Sequence, residues 1–139
     1  MPTGVTNNVQ LEQLAKRMRI PFFRGVFMRN ALPVLPRVNE NSIVNLDDVE
    51  GSGTHWVAYA KRGDRILYFD SFGNLRPPKE LVLYLKNGNN TVTIEYNRTR
   101  YQRYDQNICG QLCLQFLQTV NDQFKPQRSV IDAQYSLNI

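Results

Sequence analysis

A β-hairpin predicted near the middle of the chain places the strongest constraint on its fold. Two short apolar runs, Trp56–Ala60 and Ile66–Phe69, flank the sequence Arg-Gly-Asp at 62–64, whose glycine suits a tight turn. The two strands should therefore pair directly with each other. His55 precedes the first strand and Asp70 follows the second, so the hairpin predicts that these two side chains lie side by side at its open end.

The remaining elements are predicted from apolar periodicity and from proline and glycine positions. Helices are predicted at Val9–Met18, from Pro77-Pro78 to Leu85, and at Cys109–Val120, which has the most continuous apolar face. Strands are predicted at Ser42–Leu46 and Thr91–Tyr96, with Tyr101 as the start of a further candidate strand. Ile20–Pro36 contains three prolines and a glycine, so we expect broken structure there with a short helical turn at most. This order predicts an α+β fold, a small mixed sheet flanked by helices.

Composition indicates a single globular domain at 1–139. The chain has 139 residues, of which 42% are hydrophobic and 21% are charged. It contains no apolar run of membrane-spanning length, and its first twenty residues carry no signal-peptide core. We therefore expect an intracellular protein of the cytoplasm or nucleus. Cys109 and Cys113 lie one helical turn apart, which is poor geometry for a disulfide, so both should be thiols.

The net charge of +5 comes from basic residues that are clustered in sequence. The clusters are Lys16, Arg17, Arg19, Arg24 and Arg29 near the start, and Arg98, Arg100 and Arg103 before Cys109. Such clusters can bind nucleic acid through its phosphates, without sequence preference. They can equally form a solvated surface that aids solubility, and charge alone does not separate the two interpretations.

Cys109 has the features of a nucleophile. It opens a predicted helix, where the helix dipole lowers the pKa of a thiol and favours the thiolate. Gly110, which follows it, should leave room for a substrate carbonyl beside the free N–H groups of the first turn. His55, the only histidine, can act as the base, and Asp70 can orient its ring.

Each of these residues also has a simpler interpretation. A cysteine in a helix is most often a small buried apolar residue, which suits Cys113 better than Cys109. His55, next to Trp56, could be a packed core residue, and Asp70 could be a turn residue. A structural zinc site is not expected, since one histidine and two cysteines at this spacing match no closed ligand set, and no cofactor is expected.

Three motifs resemble the adenovirus-type (adenain-like) cysteine proteases, most closely the branch carried by Polinton/Maverick DNA transposons and related large DNA viruses. They are Gly-Thr-His-Trp-Val-Ala-Tyr at 53–59, Tyr-Phe-Asp-Ser-Phe-Gly at 68–73, and Gln-x6-Cys-Gly-x-x-Cys-Leu-x-Phe-Leu at 102–117. The resemblance extends over Ile20–Leu117 and implies a cysteine endopeptidase. It makes Cys109 the nucleophile, His55 the general base and Asp70 the orienting carboxylate.

The same resemblance implies further roles near the site. Gln102 matches the oxyanion-hole glutamine of the family; Gln106, the rival candidate, lies too close to Cys109 to fit. Trp56 should pack beside the histidine and cover the site. The adenovirus enzyme has Glu where this chain has Asp70, and it is activated by a peptide disulfide-bonded to an upstream cysteine. No cysteine precedes Cys109 here, so no disulfide-linked activating peptide is expected.

The implied substrate is a polypeptide, with cleavage after small residues. We expect capsid or structural precursor proteins of a virus or transposon, with the enzyme packaged in a virus-like particle as a further expectation. The alternatives are a protease of ubiquitin-like modifiers (SUMO-type), and a domesticated, non-catalytic module that binds DNA or protein.

Overall fold

Six strands form one mixed sheet with helices on both of its faces. The computed structural model describes residues 7–46, 55–87, 89, 91–101, 109–124 and 136–138. The elements in chain order are α1 (Asn8–Arg17), β1 (Phe23–Met28), β2 (Asn39–Asn45), β3 (Trp56–Arg62), β4 (Arg65–Phe69), α2 (Lys79–Leu85), β5 (Thr93–Tyr96), α3 (Cys109–Gln123) and β6 (Ser136–Asn138). The sheet follows the chain order from β1 to β6. The pairs β1–β2 and β4–β5 are parallel and the other pairs are antiparallel, which matches the predicted α+β class.

The predicted hairpin lies at the centre of this sheet. Strands β3 and β4 pair from Ala58↔Phe69 to Arg62↔Arg65, and Gly63 takes the left-handed conformation that the turn requires, with φ of 60°. His55 and Asp70 consequently flank the opposite, open end of the hairpin.

Alternate residues of β3 contribute to two separate cores. Trp56, Ala58 and Ala60 pack with α1 and α3, whereas Val57 and Tyr59 pack with α2 on the other face. Because both faces of β3 are buried, its sequence is a continuous apolar run and does not alternate between apolar and polar residues.

The helices begin close to the predicted positions. Asn7 caps α1 through a reciprocal pair of hydrogen bonds with Gln10. Helix α2 begins after Pro78, and α3 begins at Cys109 and continues past the predicted end to Gln123. The described helices are all too short or too polar to span a bilayer.

The prediction of broken structure at Ile20–Pro36 is wrong for the six residues of β1, whereas residues 29–36 contain no helix or strand. Gly25 interrupts the apolar pattern, but it lies where the register with β2 shifts, and a Cβ there would come within 2.9 Å of the Phe27 ring. A glycine at such an irregularity is compatible with a strand. Pro21 precedes β1, which is an edge strand, so it removes no ladder hydrogen bond.

Two further differences lie near the C-terminal half. Strand β6 is not predicted from the sequence, yet it pairs with β5. Tyr101 begins no strand among the described residues; instead, its N–H donates to the carbonyl oxygen of Ser71 at 2.7 Å.

Candidate active site

Three segments that are distant in sequence meet at the open end of the β3–β4 hairpin. His55 Nε2 lies 2.9 Å from Asp70 Oδ1. Cys109, the first residue of α3, lies close enough to His55 for the two groups to shift each other's pKa, and its Sγ accepts the backbone N–H of Trp56 at 3.5 Å. The structure therefore brings the three predicted side chains together in the order thiol, imidazole, carboxylate.

The imidazole of His55 is held on two sides. Asp70 Oδ1, which accepts the Phe72 N–H at 3.0 Å, also faces Nε2 of the ring. This leaves Nδ1 as the nitrogen for the thiol of Cys109. The Phe72 ring stacks on the imidazole with centroids 4.5 Å apart and an interplanar angle of 14°. The ring plane is thus restrained, while 16% of the His55 side chain stays exposed.

Burial and charge act in opposite directions on His55. Burial alone would lower its pKa, since it disfavours the charged imidazolium. The hydrogen bonds and negative charges of Asp70 and Cys109 outweigh burial and raise the pKa of His55 to about 9. The imidazole is therefore protonated at neutral pH.

The two cysteines differ sharply. Burial would raise the pKa of Cys109, but its hydrogen bonds to His55, to the Trp56 N–H and to the Gly110 backbone, together with the charge on His55, lower it. Burial raises the pKa of Cys113, which is fully enclosed. The lowered pKa favours the thiolate form of Cys109, whereas Cys113 has the character of a buried apolar residue, in line with the contrast predicted from the sequence.

Trp56 and Gly110 pack together beside the thiol. A Cβ on Gly110 would lie 3.5 Å from Trp56 Cδ1 and 3.1 Å from Leu11 Cδ2. Because Gly110 has no side chain, the start of α3 can pack closely against α1 and Trp56. This differs from the expectation that Gly110 leaves room for a substrate carbonyl.

Sequence reasoning missed two residues that contact the site. Phe72 stacks on His55, and Asn97 forms reciprocal hydrogen bonds with the main chain of Asp70. Asn97 begins a glycosylation sequon, but its side chain is buried. Phe72 follows Asp70 by two residues, which is a local signal, whereas the contact with Asn97 depends on the parallel pairing of β4 and β5.

Two predicted site residues, Gln102 and Arg103, lie outside the described part of the chain, as does Gln106, the rival candidate that the motif spacing disfavours. Among the residues that are described, no three metal-ligating side chains come together.

The basic residues are divided between the two ends of the sheet, and Arg29 of the first cluster, whose N–H donates to the Asn45 carbonyl oxygen, lies at the same end as Arg98 and Arg100. Arg98 and Arg100 are exposed and follow β5 at the end that carries Asp70. Lys16 and Arg19 line a cavity with the first residues of β1, close to the hairpin-turn end. Two other members of the first cluster form ion pairs, Arg24 with Glu40 at 3.0 Å and Arg29 with Glu80 at 3.9 Å.

No protein-family model matches this chain, and no curated protein matches it in sequence. Solved structures, in contrast, are similar in fold. The ASFV pS273R protease superposes with a TM-score of 0.59 at 21% identity, over 89% of this chain and 60% of that one. The SUMO protease Ulp1, solved with its catalytic cysteine oxidised to a sulfinic acid, superposes with a TM-score of 0.57 at 13% identity, over 94% of this chain and 70% of that one.

This chain thus spans about 60% of the length of the ASFV protease chain. At these identities the likeness concerns the fold. It confirms the architecture that the sequence motifs predict, a mixed sheet flanked by helices with Cys109 at the start of a helix. The chain therefore shares its fold with these two proteases.

Proposed function

We propose that this protein is a cysteine endopeptidase with a Cys109–His55–Asp70 triad. The observation that carries the proposal is the assembled site: Asp70 lies 2.9 Å from His55, the Sγ of the helix-terminal Cys109 accepts the N–H of the adjacent Trp56, and His55 and Cys109 lie close enough to shift each other's pKa. A histidine packed only as a core residue would not need both a buried carboxylate and a thiol as partners. The protease fold of the two similar structures adds support.

In the proposed mechanism, the Cys109 thiolate attacks the carbonyl carbon of the scissile peptide bond. The His55 imidazolium then gives its proton to the leaving amine as the C–N bond breaks, which leaves a thioester on Sγ. A water molecule attacks the thioester while His55 accepts its proton. The C–S bond breaks, the acid product leaves and the thiolate is restored. Asp70 keeps the ring in the orientation that both proton transfers need.

The negative oxygen of the tetrahedral intermediate requires hydrogen-bond donors. The N–H groups in the first turn of α3 are suitable, since a helix leaves them without partners within the helix. We propose the side-chain amide of Gln102 as a second donor. In support, the preceding residue, Tyr101, is bonded through its N–H to Ser71, which follows Asp70 directly.

For the substrate, we propose capsid or structural precursor proteins of a virus or a Polinton/Maverick element, cleaved after small residues. The support is the motif resemblance at 53–59, 68–73 and 102–117. The similarity to Ulp1 keeps a modifier protease as the alternative, although it does not favour that substrate over the first.

DNA is a weaker candidate as a second partner. The exposed Arg98 and Arg100 lie near the site, but Lys16 and Arg19 lie at the other end of the sheet. Lys16 and Arg19 are thus separated from Arg98 and Arg100 by the length of the sheet.

The test is to incubate the protein with recombinant capsid precursors and with a mixed peptide library, and to map new termini by mass spectrometry. We expect new termini with the wild type that are absent with Cys109→Ala. Equal cleavage by Cys109→Ala, or no cleavage of either substrate by the wild type, would contradict the proposal.

A further inference from the structure

The main chain of Asp70 forms two hydrogen bonds with one buried side-chain amide, that of Asn97, and its carbonyl oxygen also accepts the Gly73 N–H at 2.9 Å. The Asp70 N–H donates to Asn97 Oδ1 at 2.9 Å, and Asn97 Nδ2 donates back to the Asp70 carbonyl oxygen at 2.7 Å. Nδ2 also donates to the Thr99 carbonyl oxygen at 3.0 Å. Both polar atoms of the Asn97 side chain are therefore hydrogen-bonded, and the residue is only 1% exposed.

The sheet explains why Asn97 reaches this position. Strands β4 and β5 are parallel, with Tyr68 opposite Tyr96, so the segments that follow them leave the sheet at the same end. Asp70 directly follows β4 and Asn97 directly follows β5 at that end, where the backbone hydrogen bonds between the two strands stop. Beyond this point the side-chain amide of Asn97 takes over and hydrogen-bonds to the main chain of Asp70.

The carboxylate of Asp70 depends on this support. Its Oδ1 accepts from the Phe72 N–H and faces His55, whereas its buried Oδ2 has no hydrogen-bond partner among the described residues. Besides His55, the group that bonds this carboxylate among the described residues is thus the N–H of Phe72, two residues further along the same turn. A shift of the Asp70 main chain would move Oδ1 away from His55 Nε2.

A second set of contacts joins the same two segments. The Asn74 N–H donates to the Asn97 carbonyl oxygen at 2.8 Å, and the Tyr101 N–H donates to the Ser71 carbonyl oxygen at 2.7 Å. The turn after β4 and the segment after β5 are thereby fixed to each other along their length. The second segment leads directly into Gln102.

We propose that Asn97 is a positioning residue for the Cys109–His55–Asp70 site, acting by fixing the Asp70 main chain so that its carboxylate holds His55 towards Cys109. This inference rests on the proposed function for its effect on peptide hydrolysis. Its effect on the thiol can be measured without any substrate.

The experiment uses Asn97→Ala and the smaller polar variant Asn97→Ser, both in a Cys113→Ala background so that only Cys109 reacts with iodoacetamide. Alkylation is followed against pH, and folding is checked by circular dichroism. We expect the alkylation midpoint to move to higher pH, more for Asn97→Ala than for Asn97→Ser, because His55 then stabilises the thiolate less. We expect kcat to fall by up to about 10²-fold with KM nearly constant.

Asn89→Ala is the matched control. Asn89 lies just before the start of β5, at the end of the strand far from Asn97. Its side chain donates a hydrogen bond to Asp64 in the hairpin turn, away from the thiol. Asn89→Ala should lower the free energy of unfolding but leave the pH midpoint of alkylation and kcat unchanged.

The inference is overturned if folded Asn97→Ala keeps the wild-type midpoint, whatever its stability. The two proposals fail separately. Wild-type protein that hydrolyses no peptide, while Asn97→Ala still shifts the midpoint, would overturn the proposed function and support the positioning role. An active wild type with an unshifted Asn97→Ala midpoint would overturn the positioning role alone.

Discussion

At the scale of single residues, the main feature is the opposite shift of two pKa values. The pKa of His55 is raised to about 9, and that of Cys109 is lowered. Each charge stabilises the other, because the two groups lie close together in a partly buried site. The two shifts widen the pH range over which a thiolate and an imidazolium can coexist.

This pairing predicts the pH dependence of hydrolysis. On the acid side, kcat/KM should rise as the Cys109 thiol loses its proton. On the alkaline side it should fall only above pH about 9, where His55 loses the proton needed by the leaving amine. The measurement is kcat/KM for one peptide across the pH range. An alkaline decline centred near pH 6.5, the pKa of an ordinary histidine, would contradict the pairing.

Asp70→Asn should leave the fold intact and lower kcat. The hydrogen bond and negative charge of Asp70 help to raise the pKa of His55, so the variant should also bring the alkaline decline to lower pH. We expect a milder loss of rate than in a serine enzyme, since the Cys109 thiol is acidic already. An unchanged pH profile would show that Asp70 does not orient His55.

The two thiols should respond differently to substitution. Cys109→Ala should abolish both hydrolysis and iodoacetamide labelling of the folded protein, whereas Cys113→Ala should stay active. The latter should lower the free energy of unfolding by about 1 kcal/mol, as is usual for a small buried side chain. Peptide mapping that finds the label on Cys113 and not on Cys109 would reverse the assignment.

At the scale of elements, the sequence predicts the hairpin and the three helices well because their signals are local. The turn at 62–64 fixes the β3–β4 pairing, and this pairing alone brings His55 next to Asp70. β1 is missed because a glycine at a register shift looks like a break in the pattern. The contact between Asn97 and Asp70 is missed because it depends on parallel pairing of strands separated by α2.

Gly73 tests the link between the turn after β4 and the segment after β5. Its φ is 76°, and a Cβ there would lie 2.6–2.7 Å from backbone atoms of Arg98, Thr99 and Arg100. Gly73→Ala should therefore push the two segments apart and lower both stability and kcat. We expect a stability loss larger than the roughly 1–3 kcal/mol typical of backbone strain alone.

Gly63→Ala provides the matched control for this prediction. Its φ is 60°, but a Cβ there would meet nothing within 4 Å. It should thus cost about 1 kcal/mol in thermal or urea unfolding, with kcat unchanged. Equal effects of the two substitutions on stability and rate would show that the close approach at Gly73 is unimportant.

At the scale of the whole molecule, fold and charge are predicted from the sequence to different extents. The motifs predict the fold that the two similar protease structures share with this chain. Charge clusters in the sequence do not reveal where they lie in space. Arg98 and Arg100 lie at one end of the sheet and Lys16 and Arg19 at the other, while Arg24 is paired with Glu40.

This separation predicts weak binding to DNA. We expect duplex DNA of any sequence to bind only at low salt and to be released at physiological salt, since few phosphates can be contacted at once. Fluorescence anisotropy at two salt concentrations measures this, with Arg98→Ala/Arg100→Ala and Lys16→Ala/Arg19→Ala as paired variants. Tight binding at physiological salt that either pair of substitutions abolishes would contradict the expectation.

The most direct test of the proposed peptidase is to trap its covalent intermediate. Wild-type protein is mixed with a peptide that it cleaves, quenched in acid within the first turnover, and analysed by intact-mass measurement and peptide mapping. We expect an acyl group on Cys109 that hydroxylamine removes, and no adduct with Cys109→Ala. Cleavage by the wild type without any adduct on Cys109, or an adduct mapped to another residue, would contradict a mechanism in which this thiol is the nucleophile.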